Sequence, residues 1–145
     1  MAEEYYDDGV IRVVVPDGWK LFCASDREQK PGMSKLHIYK NAQVASDIFT
    51  RAGITVCFFA RDHIYLSPKR FYDNVEDIEP LLIGDREWSG YTCTSLGYPY
   101  LMLDSMEDGC VLQVMILLRN GEHQISIDDT DVEAILGSLS VVADQ

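Results

Sequence analysis

Nine residues, Cys110 to Leu118, read CVLQVMILL, and Gln113 is the one polar side chain among them. A run that apolar, closed by Glu107-Asp108-Gly109 before it and Asn120-Gly121 after it, predicts a β-strand covered on both faces. Something must lie over each face. The expectation is a layered domain with this strand in mid-sheet and helices above and below it.

The rest of the chain supplies partners for such a strand. Val10 to Val15 is rich in β-branched residues and stops at Pro16, which cannot donate to a ladder. Pro16-Asp17-Gly18 predicts a turn, with Trp19 to Cys23 returning as the second arm of a hairpin. Ala24 to Ser34 reads as a solvated loop, and Lys35 to Lys40 as a strand with one wet face. In Asn41 to Gly53 the residues Val44, Ala45, Ile48, Phe49 and Ala52 recur at helical spacing, so a short helix is predicted, with Asn41 and Gly53 as its caps. Ile54 to Ala60 is a second buried strand. Ser67-Pro68 opens a turn or two of helix that dissolves into a wet loop at Glu76 to Pro80. Glu87 to Leu96 and Tyr98 to Asp104 are strands. Asn120-Gly121 is a strong hairpin signal with His123 to Ile127 as the return arm, so the second half reads as an antiparallel meander. Thr130-Asp131-Val132-Glu133 matches a capping box, with Thr130 as N-cap. Val132, Ile135, Leu136 and Leu139 then make one apolar helical stripe.

At 145 residues the chain has the size of one domain, spanning residues 1–145, and needs neither metal nor disulfide to hold a core. Residues 1–8 are acidic, lack the pattern of a secretory signal, and are expected to be a flexible start. No apolar run approaches the ~20 residues that cross a bilayer. A net charge of −12 would repel nucleic acid and anionic lipid. Residues 27–70 carry eight bases against three acids, which leaves +5, whereas 71–145 carry fifteen acids against Arg86 and Arg119, which leaves −13. Attraction between the two parts within one fold is the simpler explanation; a polarised partner-binding surface is the other. Cys23, Cys57, Cys93 and Cys110 fit no zinc spacing and read as thiols in a reducing compartment, so a cytoplasmic protein is expected.

The order of elements, with Val13 to Trp19 ending in Pro-Asp-Gly-Trp and Asp131 to Val142 as a closing helix, resembles the PsbP-like fold. The resemblance implies an α+β class: a central antiparallel sheet of about six or seven strands flanked by helices, an α/β/α sandwich. It also implies a non-catalytic binding or assembly role. It carries over no functional residue.

Chemistry is sparse. His37, His63 and His123 share no ligand spacing with the cysteines and are expected to be solvated. A cysteine–histidine dyad has no residue that marks it, and Asp128-Asp129-Thr130-Asp131 lacks the glycine and bidentate glutamate of a calcium loop. Ser89 and Ser95 lack a nucleophile elbow, and Gly84, Gly90 and Gly97 make no phosphate loop. No catalytic residue, cofactor or metal site is therefore assigned. Aromatic residues around the Tyr91 to Tyr100 stretch suit a partner surface, for which Tyr72, Trp88, Tyr98 and Tyr100 are the candidates. Half-buried strand positions would account for them equally. The expected function is a non-catalytic protein-binding or accessory module. The alternative is a small-molecule carrier or enzyme with a pocket between the sheet and the 41–53 segment. A partner module should show an exposed apolar patch, and a carrier a closed concavity with converging polar groups.

Overall fold

A computed structural model describes residues 4–7, 9–23, 33–60, 68–107 and 109–141. The first elements are β1 (Glu4–Asp7), β2 (Ile11–Val15), β3 (Trp19–Cys23), β4 (Met33–Lys40) and β5 (Gly53–Phe59). They are followed by β6 (Asp73–Ile83), β7 (Arg86–Ser95), β8 (Tyr98–Glu107) and β9 (Cys110–Leu117). The chain closes with β10 (Arg119–Asn120), β11 (His123–Gln124), α1 (Thr130–Ser138) and β12 (Ser140–Val141). Seven strands form one antiparallel sheet in the order β3-β4-β5-β9-β8-β7-β6. The apolar run from Cys110 supplies its fourth strand, β9, hydrogen-bonded to β5 on one side and β8 on the other.

Side-chain alternation gives this sheet two unlike faces. On one, Leu36, Ile38, Ile54, Val56, Phe58, Leu101, Leu103, Leu112, Val114 and Ile116 belong to one buried cluster. Ile11 and Val13 from β2 and Val132, Ile135, Leu136 and Leu139 from α1 or its end close over that cluster. The helical stripe read from the sequence is thus buried as expected. Asp131 holds the helix to the sheet by accepting from Trp19 Nε1 at 2.8 Å, with Lys40 Nζ at 3.7 Å. Ser138 Oγ accepts from the Val14 N–H at 2.8 Å. On the opposite face lie two smaller clusters, one centred on Tyr39, Ala42 and Leu117 and the other on Tyr91, Cys93 and Met102.

Several expectations are corrected. The α+β sandwich with helices on both faces is not formed: among the described residues α1 is the one α-helix, and the architecture is mostly β, one large sheet with a three-stranded and a two-stranded companion. The helix expected over 41–53 is a 3₁₀ turn at Ala45–Phe49. Its apolar residues Val44 and Phe49 are exposed, so no stripe drives it onto the sheet. Asn41 is left-handed at φ 60° and caps nothing, while Gly53 begins a strand. The second helical start likewise becomes a 3₁₀ turn, Pro68–Phe71.

The hairpin expected between Val10 to Val15 and Trp19 to Cys23 is not formed. Pro16 to Gly18 does turn the chain, Trp19 N–H donating to the Pro16 carbonyl at 3.1 Å. The turn hands the chain from one sheet to another: β2 pairs with β1 and β12, and β3 with β4. Glu4 to Asp7, within the stretch expected to be flexible, is therefore a paired strand. Glu76 to Pro80, read as a wet loop, lies inside β6. Proline is tolerated there because β6 is an edge strand with two register shifts against β7. Asn120-Gly121 does turn, but its arms form only the short β10–β11 ribbon, which leaves the large sheet; the neighbour of β9 is β5. Lys35 to Lys40 has no wet face along its middle, since Leu36, His37, Ile38 and Tyr39 are all buried. The loop expected over 24–34 falls mostly outside the described residues, as do Ser67 and His63.

Lys40 with Asp131 and Lys69 with Asp77 join the basic and acidic parts of the chain.

Candidate binding cleft

The ribbon that leaves the sheet creates the most ligand-like surface. Leu118 N–H donates to the Pro99 carbonyl at 3.0 Å, and Ile125 N–H to the Leu118 carbonyl at 2.9 Å. These two bonds set residues 118–127 as a wall over the end of the sheet that α1 does not reach. Between that wall and β6, β7 and β8 lies an open cleft of about 610 Å³. Ile78 and Leu81 of β6, Leu101 of β8, and Leu118, Ile125 and Ile127 of the wall make it aliphatic. Thr92, Gln124 and Ser126 add short polar groups, and Glu79 and Arg119 stand on opposite walls. Among the described residues neither Glu79 nor Arg119 has an ion pair. The volume falls in the range of ligand pockets, roughly 300–1,000 Å³.

Beside the cleft, β7 and β8 are joined by the two-residue turn Leu96-Gly97, closed by the Ser95–Tyr98 pair. Both turn residues are left-handed, Leu96 at φ 53° and Gly97 at φ 85°. Leu96 is 93% exposed. An aliphatic residue standing in solvent in a backbone conformation that favours Asn, Asp or Gly is unusual on both counts.

Two other hollows are poorer candidates. One of about 820 Å³ lies between the β7–β8 pair and the end of α1 and includes Asp85, Arg86, Glu87, Asp104 and Ser105. Its cation is already engaged: Arg86 donates to Ser105 Oγ at 3.3 Å and to the Leu139 carbonyl at 3.5 Å, with its guanidinium over the Trp88 ring. The hollow beside the 41–53 segment, with Lys40, Asn41, Ala52 and His123 in its lining, is about 150 Å³, too small for most metabolites.

Of the four aromatic candidates, Tyr72, Tyr98 and Tyr100 share the face opposite the cleft, and Trp88 is separated from them. Trp88 is fully buried in the main core and offers nothing to a partner. Tyr72 and Tyr100 are half-buried on the opposite face, packed against the Tyr91, Cys93 and Met102 cluster. Burial pushes both phenols above their ordinary pKa. Tyr98, at 41% exposed, is the one that faces solvent, next to the Leu96 turn. The sequence reading missed Leu96, whose place between two strands and before a glycine was the available signal. It also missed the cleft, because the ribbon's departure from the sheet is a tertiary event.

Among the described residues the remaining histidines and cysteines stand apart from the cleft. His37 is buried, not solvated, with Nδ1 3.0 Å from Thr55 Oγ1. His123 is half-buried in β11. All four cysteines are free thiols; Cys57, Cys93 and Cys110 are buried, and burial pushes the Cys93 thiol up, away from the thiolate a nucleophile needs. Among the described residues no cluster of His, Cys, Asp or Glu could hold a metal ion. No helix there is long and apolar enough to cross a membrane. No protein-family model matches the chain, and no curated protein gives a significant match.

Proposed function

We propose that the protein is a non-catalytic docking module whose contact surface is the cleft between β6–β8 and residues 118–127, extended by Leu96 at the adjoining turn. The observation that carries this reading is the cleft itself: six aliphatic side chains from two walls meet around a space that no other element of the described fold fills. None of the four aromatic candidates lines the cleft: Tyr98 alternates with the cleft-lining Pro99 and shares the face of Tyr100 and Tyr72, and Trp88 is buried.

An apolar dye tests it. At sub-micromolar chain, ANS should gain fluorescence with saturable one-to-one binding, and Ile127→Asp, checked for folding by circular dichroism, should remove most of that signal. Equal binding by the folded variant and the wild type would contradict the assignment.

A further inference from the structure

The turn and the cleft are built from the same hairpin. Pro99, which lines the cleft, pairs with Thr94, two residues before Leu96. A projecting aliphatic knob and an aliphatic hollow therefore stand side by side on one surface. A two-fold axis between such surfaces can seat each knob in the other molecule's hollow and close the assembly at two copies. The charges have the same property. Glu79 and Arg119 stand on opposite walls without ion pairs among the described residues, so a rotated copy can offer Arg119 to Glu79 and Glu79 to Arg119. Surfaces that bind a strongly charged foreign partner commonly carry one sign; this one carries both. The net charge of −12 opposes self-association at long range, but physiological salt screens it within about 8 Å.

Exposed apolar surface at the turn points the same way. A left-handed leucine is costly where Asn or Gly would be relaxed, and 93% exposure adds the cost of apolar surface in water. Burial against a second copy would remove the second penalty.

From this we infer that the occupant of the cleft is a second copy of this chain, in a two-fold dimer with Leu96 of each molecule in the other's cleft. The inference rests on the docking surface proposed above.

Sedimentation velocity on the full chain at tens of micromolar is the test. Wild type should sediment at twice the chain mass. Leu96→Asn should sediment at the chain mass, while at sub-micromolar chain its unfolding midpoint stays level or rises, because asparagine suits the left-handed turn. Arg119→Glu or Glu79→Arg alone should raise the dimer dissociation constant about tenfold, and the double swap should recover most of the loss. ANS separates this inference from the reading beneath it. A wild-type chain that stays monomeric overturns the dimer. If that monomer still binds ANS in an Ile127-dependent way, the docking surface stands and takes a foreign partner; if it does not, both fall. A dimer that survives Leu96→Asn unchanged also overturns the inference, since its interface must then lie elsewhere.

Discussion

Gly53 and Leu96 show how single residues set this fold and its surface. At Gly53 a neighbour fills the place of the missing side chain: the Tyr39 ring from β4 lies flat over it, and a methyl group there would overlap the ring. Gly53→Ala must push Tyr39 out of a buried cluster, and a loss of about 1–3 kcal/mol in urea-monitored stability is expected. Leu96→Asn should act in the opposite sense on the isolated chain, raising its stability by about 1 kcal/mol through relief of the left-handed leucine. Denaturation of both variants at sub-micromolar chain checks the pair of signs. His37 marks a limit of reading by alternation. Its sequence neighbours Leu36 and Ile38 are plainly apolar, so the histidine was assigned to water, yet β3 and β5 flank its strand and Thr55 gives its ring a polar partner.

At the level of elements, the apolar run and the closing helix were legible because each carries its own periodicity. The capping box expected from Thr130 and Glu133 is not formed, and no side chain caps the helix start. Asp129 occupies the N-cap, its Oδ2 accepting from the Ser126 N–H at 2.9 Å, and Thr130 is the first helical residue. Thr130→Ala should therefore change stability by less than about 0.5 kcal/mol, whereas a true N-cap threonine would cost about 1 kcal/mol. Thermal melts of that variant decide the register. The 41–49 segment was misread because its order comes from one carboxylate. Asp47 accepts from the N–H groups of Gln43 at 2.8 Å and Val44 at 3.2 Å, and these bonds hold its pKa below the usual carboxylate value. A depressed folded-state pKa contributes stability that is present above the unfolded value and lost as pH falls through the folded one. Asp47→Asn should accordingly flatten part of the stability loss below about pH 4, as acid titrations of the two proteins would show. Nothing local announces that the Asn120-Gly121 ribbon leaves the sheet; the bond from Leu118 to Pro99 does that, across nineteen positions of sequence.

Across the whole molecule, the central strand was placed from its sequence, but its cover was assigned by class. One face does receive a helix, together with a small sheet; the other carries aromatic and sulfur side chains. The architecture predicts an order of opening: amide exchange should be slowest in β9 and its neighbours β5 and β8, and much faster in β1 and the β10–β11 ribbon. The same layering leaves one end of the buried face uncovered, and that end forms the aliphatic cleft. A methyl NMR titration with ANS, run on dilute protein, reads that location directly. The Ile78, Leu81, Leu101, Ile125 and Ile127 methyl signals should shift together and saturate at one equivalent. Shifts concentrated near Met102 and Met115 on the opposite face, or near Leu139 beside Arg86, would contradict it.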